Sequence, residues 1–204
     1  MILVGQYDSP FVRRVAISLR VLGVAYEHDT RSVFGDFDSM RTTNPLGRIP
    51  SLTLDSGETL IDSFVILDWL DREVGPERAL MPATGSARTE AMQLVALAAG
   101  GIEKFGAMNY ETIIRPSAYR WPEWIERLRV QGLGALAALE RAQWKERPRL
   151  DQVQISTGCL LGYLALTQPE TLSDFPKLSA FWARCAAMSD FVATGVGDYA
   201  VPKG

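Results

Sequence analysis

The sequence predicts an α/β domain built on a small mixed sheet, followed by an all-helical domain. Three observations carry this. Short strand patterns alternate with helical ones from Ile2 to about Arg72. A stretch rich in Gly, Pro and small residues follows at 76–85 and reads as a linker. Beyond it the periodic segments are helical. The predicted division is therefore 1–75, the linker 76–85, and 86–204. A chain of 204 residues is long enough for two such cores.

The elements follow in order. Ile2-Leu3-Val4 is a strand. Ser9-Pro10 opens a helix whose apolar positions Val12, Val15, Ala16, Leu19 and Leu22 keep the helical period, and Gly23 ends it. Val24 to His28 is the second strand, and the polar interval 30–43 holds a short helix. Ser51–Leu54 and Thr59–Ile61 flank Asp55-Ser56-Gly57 as a hairpin. Asp62-Ser63 starts a helix ending near Arg72. The first strand–helix–strand unit requires a parallel pair with a right-handed crossover, and the hairpin adds an antiparallel edge. In the second part, Arg88 to about Ile114 is one long helix, weakened at Gly100-Gly101. Trp121-Pro122 starts another, with Glu123 and Arg127 at a favourable spacing. Arg147-Pro148-Arg149 breaks the chain. Asp151 and Gln154 form a capping box for a helix ending before Pro169, and Phe175-Pro176 begins the next.

Composition excludes several classes. Apolar residues are 47% and charged residues 22%, as in globular proteins. The net charge of −3 gives no positive field, so nucleic acid is not expected as a partner. The apolar start Met1–Gly5 lacks a basic flank and a long apolar core, and so is not a signal peptide. The longest apolar run, Leu94–Gly101, is far short of the roughly 20 residues a membrane span needs, so no membrane partner is expected. A cytoplasmic protein is predicted. His28 is the single histidine, and Cys159 and Cys185 lie in apolar helical patterns without a Cys-x-x-Cys. The usual zinc sets cannot be assembled, no metal is expected, and both cysteines read as reduced core residues.

Three short motifs carry chemistry. The first is Ser9-Pro10-Phe11, between the first strand and the first helix. A serine hydroxyl at a helix N-terminus can donate to a thiolate that arrives with a ligand. Lowering a thiol pKa of about 8.5 by roughly two units needs about 2.7 kcal/mol. A charge-assisted hydrogen bond of about 1.5–3 kcal/mol plus a helix-end contribution of about 0.3–1 kcal/mol is sufficient in scale. The second is Asn44-Pro45-Leu46-Gly47-Arg48-Ile49-Pro50, where a turn would leave the Ile49 backbone free to pair with an extended peptide. The third is Asp62-Ser63, where helix N–H groups and the Ser63 hydroxyl can receive a carboxylate and Asp62 an ammonium group. Taken singly, each reads as ordinary capping or loop chemistry.

Together and in this order, ahead of a helical domain, these motifs resemble the glutathione S-transferase superfamily, of a serine-type, bacterial-like kind, over essentially the whole chain. The resemblance implies a thioredoxin-like N-terminal domain and an all-α C-terminal domain. It implies glutathione as cosubstrate, with Ser9 holding its thiolate and a cis Pro50 beside Ile49, which pairs with the cysteinyl backbone. Asp62 and Ser63 would hold the γ-glutamyl group, Phe11 would adjoin the tripeptide, and Arg48 would favour its negative charge. Two positions depart from the family pattern: Asp62 stands where Glu or Gln is usual, and Asp151-Gln152-Val153-Gln154 replaces Ser/Thr-x-x-Asp. Tyr7 rivals Ser9, because other classes use a tyrosine near the end of the first strand.

A hydrophobic electrophile is expected between the domains, against Phe11, Phe34, Met108, Tyr110 and Arg115. The expected reaction is conjugation of the thiolate to that electrophile. Isomerase, dehalogenase or peroxidase chemistry, and a non-enzymatic glutathione-binding or interaction module, remain open. The long apolar helix, together with the resemblance, predicts a two-fold homodimer.

Overall fold

The structure is a computed structural model and describes residues 1–143 and 149–197. The expected break at Arg147-Pro148-Arg149 falls partly outside the described residues. Chain order is β1 (Ile2–Val4), α1 (Pro10–Val21), β2 (Glu27–Asp29), α2 (Phe37–Arg41), β3 (Ser51–Thr53), β4 (Thr59–Ile61) and α3 (Ser63–Val74). Then come α4 (Gly85–Asn109), α5 (Pro122–Arg141), α6 (Gln152–Thr167), α7 (Pro176–Ala186) and α8 (Ser189–Ala193). A small mixed sheet with helices is thus followed by an all-helical part, as the sequence predicts.

The sheet order is β2-β1-β3-β4. β1 runs parallel to β2, pairing Leu3 with His28, and antiparallel to β3, pairing Leu3 with Leu52. Leu3 and Leu52 are fully buried and meet Val12, Val15 and Leu19 of α1 and Ile66 and Leu70 of α3. The second strand is shorter and later than the apolar pattern indicates. Only Glu27–Asp29 pairs, because Val24 to Tyr26 are taken up in leaving α1, where the Val24 N–H donates to the Leu19 carbonyl at 2.8 Å. Gly23 turns the chain there with φ +66°.

α6 is the axis of the helical part. Its Ile155, Cys159, Leu160, Leu161 and Leu164 are all fully buried, as expected of a helix covered on every side. It also ties the two parts together: Gln152 Nε2 donates to Ser18 Oγ of α1 at 2.9 Å, and the Gln152 N–H to the Leu80 carbonyl at 3.0 Å. Asp151 and Gln154 form the expected capping box. Gly100-Gly101 does not weaken α4, which runs unbroken through it. A Cβ on Gly101 would sit 3.0 Å from Leu160 and 3.5 Å from Ala135, so this glycine lets three helices approach. α4 ends earlier than the pattern suggests, and Tyr110–Ile114 form a π-helical turn. On α5 the ion pair is Glu126–Arg129 at 2.7 Å rather than the expected Glu123–Arg127.

Cys159 and Cys185 are free and fully buried, and burial pushes both thiols from 9.0 up to about 12. A thiol whose pKa folding raises holds its proton more tightly in the native state. Its stabilising contribution is complete below pH 9.0 and is lost as the pH climbs toward about 12. Buried Arg14, lowered to about 10, acts in the opposite sense, and only above that value. The thermal midpoint is therefore expected to decline from about pH 9. At neutral pH both thiols should resist a thiol reagent until denaturant is added; ready modification of the native protein would contradict this.

Candidate functional site

Ser9 is the N-cap of α1, with φ −74° and ψ 115°, and its Oγ accepts the Val12 N–H at 3.4 Å. Pro10 occupies the first helical position, where it has no hydrogen bond to lose. The hydroxyl is part-buried, and its proton remains available for donation.

The loop before β3 is braced by Asn44. Its Nδ2 donates to the Arg48 carbonyl at 2.7 Å, and its Oδ1 accepts the Leu46 N–H at 3.0 Å. Asn44 is buried, whereas Leu46 and Arg48 project from the loop. The Ile49–Pro50 peptide bond is cis.

Asp62 links β4 to α3 and is the one non-glycine residue of positive φ among those described, at φ 70° and ψ 134°. Such a conformation costs about 1–3 kcal/mol. It aims Asp62 Oδ1 at the Phe64 N–H, 2.8 Å away, and seats Ser63, 2% exposed, at the head of α3. Asp62→Ala would lose the cap and keep the strain, with an expected cost of about 1–2 kcal/mol in urea unfolding, whereas Asp62→Asn should stay within about 0.5 kcal/mol. Equal losses in the two variants would contradict this account.

The last two segments meet Phe11 in one cleft; Ser9, two residues before Phe11, is not among the residues that line it. Phe11 of α1 forms one wall, Arg48, Ile49 and Pro50 the next, and Ile61 to Phe64 the third. Glu103 of α4 lies at its edge from the helical part. Sequence patterns did not point to Phe64 or Glu103. Phe64 merely follows the Asp-Ser motif, and Glu103 is brought in from a distant helix. Behind the cleft, Arg14 is 1% exposed, with its guanidinium 4.6 Å from the Phe64 ring centre. Its Nε and Nη1 have no hydrogen-bond partner, and burial lowers its pKa to about 10.

Tyr7 lies elsewhere. Its hydroxyl meets that of Tyr26 at 2.9 Å and its ring stacks on His28 at 3.9 Å, in a separate surface depression. His28 is structural: its Nε2 is 2.7 Å from the Gly5 carbonyl oxygen. Of the residues expected to wall an electrophile, Phe34 and Tyr110 meet edge to face at 6.0 Å. Met108 is buried as a member of the hydrophobic core. Arg115 is at the surface and doubly hydrogen-bonded to Glu111, at 2.6 and 2.8 Å.

A four-stranded mixed sheet with a serine-capped first helix, a cis-proline loop and an acidic cap on the third helix, joined to a helical bundle, defines the two-domain architecture of a thioredoxin-like domain with a helical partner. Residues 3–78 match the family described as glutathione S-transferase, N-terminal domain. The uncharacterized GST-like protein YibF of Escherichia coli is 30% identical over 168 residues, covering 80% of this chain and 82% of its own. A glutathione transferase family member from Pseudomonas fluorescens, solved with bound glutathione, superposes with a TM-score of 0.84 at 33% identity, covering 96% of this chain and 98% of its own. The maleylacetoacetate isomerase of Pseudomonas aeruginosa is 28% identical over 166 residues, covering 76% of this chain and 78% of its own. The chain belongs to the glutathione S-transferase family. Among the described residues no helix is long and apolar enough to cross a membrane, and no group of three or more His, Cys, Asp or Glu side chains is placed to hold a metal ion.

Proposed function

We propose that this protein is a glutathione transferase that adds the glutathione thiolate to small hydrophobic electrophiles. The observation that carries the reading is the single cleft joining Phe11, Arg48–Pro50 and Asp62–Ser63. In it the γ-glutamyl carboxylate would meet the Ser63 hydroxyl and the head of α3, and its ammonium group Asp62. The cysteinyl backbone would pair with Ile49, and Arg48 would offset the tripeptide's negative charge. The sulfur would then lie at the head of α1, where Ser9 donates to it and the helix end favours its charge. Ser9 suits this role better than Tyr7, because it caps α1 two residues before Phe11 of the cleft wall, whereas the Tyr7 hydroxyl is engaged with Tyr26.

A second reading has support from the maleylacetoacetate isomerase relative: the same bound thiolate would add reversibly to a double bond and leave it isomerised. Titration with glutathione tests what both readings share. The complex is expected to show thiolate ultraviolet absorbance at neutral pH, and a bound thiol of ordinary acidity would remove the basis of both. Failure to bind glutathione at all would favour an interaction module. Conjugation of an aryl halide then separates transferase from isomerase. The reading includes a cytoplasmic homodimer, its interface covering the exposed Phe64 and Val65 of α3 and Met92 of α4.

A further inference from the structure

Arg14 of α1 has no part in the reading above. It is 1% exposed, and its Nε and Nη1 have no hydrogen-bond partner. Among the described residues no carboxylate forms an ion pair with it. Burying a charged donor without a partner is unfavourable, so the fold alone gives no reason for this residue. Burial lowers its pKa only to about 10, and the guanidinium stays charged at neutral pH. The neighbouring Arg13 differs. Its Nη2 donates to the Phe191 carbonyl at 2.9 Å and its Nε to Thr194 Oγ1 at 3.4 Å, which ties it to α8.

Arg14 lies instead against the cleft. Its guanidinium carbon is 4.6 Å from the centre of the Phe64 ring. That ring is 37% exposed and lines the cleft from the first turn of α3. Phe64 directly follows Ser63, where the γ-glutamyl carboxylate would sit. One aromatic ring therefore stands between a buried cation and the cleft. The charged side chains that line the cleft itself are Arg48, Asp62 and Glu103, one cation against two carboxylates. Glutathione brings two more carboxylates, one ammonium group and, in its reactive form, a thiolate. On its lining alone the cleft carries a net charge of the same sign as its ligand. Arg14 is a second cation on the side of the γ-glutamyl head, and its low-dielectric surroundings let that charge act across the ring.

We propose that Arg14 is a positioning residue of the glutathione cleft: its buried charge, set behind the Phe64 ring, is the counter-charge that draws the γ-glutamyl carboxylate onto the head of α3. Arg14 does not touch the ligand, and it selects for a head group that carries a carboxylate. The inference rests on the reading of this cleft as the glutathione site and deepens it.

The test compares two ligands by calorimetry at low ionic strength: S-hexylglutathione, and its analogue in which the γ-glutamyl α-carboxylate is a carboxamide. Arg14→Met removes the charge and keeps a long unbranched side chain, whereas Arg14→Lys keeps the charge. Arg14→Met is expected to weaken S-hexylglutathione about tenfold and the carboxamide less than about twofold, and Arg14→Lys to keep most of the wild-type difference. Salt should narrow the difference in wild type. A general disturbance of the cleft would weaken both ligands alike, so equal losses in Arg14→Met overturn the proposal. If wild type binds neither ligand, the glutathione reading fails by itself. The counter-charge is then read from sulfate: a sulfate-dependent rise in melting temperature that is larger in wild type than in Arg14→Met supports it, and equal rises overturn it. Arg14→Gln gives the same comparisons if the methionine variant does not fold.

Discussion

Ser9→Ala is expected to lower kcat/KM for glutathione conjugation by about 10²-fold while changing glutathione affinity only a few-fold. Removing one donor aimed at a developing or bound anion costs roughly 10²–10³ in turnover elsewhere. A hundredfold loss corresponds to about 2.7 kcal/mol, the same scale as moving a thiol by two pKa units. The tripeptide would keep its contacts along Arg48–Pro50 and Asp62–Ser63, so binding should survive. Ser9 is also the cap of α1, and losing a cap costs about 0.5–2 kcal/mol of stability. Activity must therefore be read well below the variant's melting temperature. A rise in the pKa of bound thiol separates loss of the donor from loss of the cap, because capping alone would not move it so far. Tyr7→Phe should leave turnover within a few-fold of wild type. The reverse pattern, with Ser9→Ala active and Tyr7→Phe not, would move the role to the tyrosine.

The second large effect belongs to the helical core. Phe105 is fully buried in α4, and Gly132 of α5 faces it so closely that a Cβ there would come within 2.7 Å of the ring. Phe105→Ala is expected to destabilise by about 3–5 kcal/mol, through lost burial and the cavity left behind. Gly132→Ala should cost about 1–3 kcal/mol by overpacking the same contact. Joined to Phe105→Leu, which frees space opposite, Gly132→Ala should cost less than the two single changes summed. Urea unfolding midpoints check all of these. A loss under about 1 kcal/mol for Phe105→Ala would show that this contact does not hold α4 to α5.

Much of the fold was legible because it is written in local chemistry. Ser9-Pro10 must start a helix, Asp151 with Gln154 must cap one, and Asp55-Ser56-Gly57 must turn a hairpin, whatever surrounds them. The errors arose where a tertiary partner competes with the local pattern. Val24 to Tyr26 have strand-forming side chains, yet the chain leaves α1 through them, and β1 pairs only from Glu27 onward. Gly100-Gly101 reads as a weak point in an isolated helix, but Gly101 is where Leu160 and Ala135 close in. Met108 carries no mark in the sequence to say that it is buried in the core.

The same division holds for the site. The order of Ser9, Ile49-Pro50 and Asp62-Ser63 is a property of the sequence, since each sits at the end of an element that its own residues begin or stop. That Ile49-Pro50 and Asp62-Ser63 line one cleft with Phe11 and Phe64, and that Glu103 joins it from α4, is decided only when the elements pack together. These residues are far apart along the chain, and nothing local links them. Their proximity comes from the burial of α6 between α1 and α4, a packing choice made by shape and apolar area rather than by any motif.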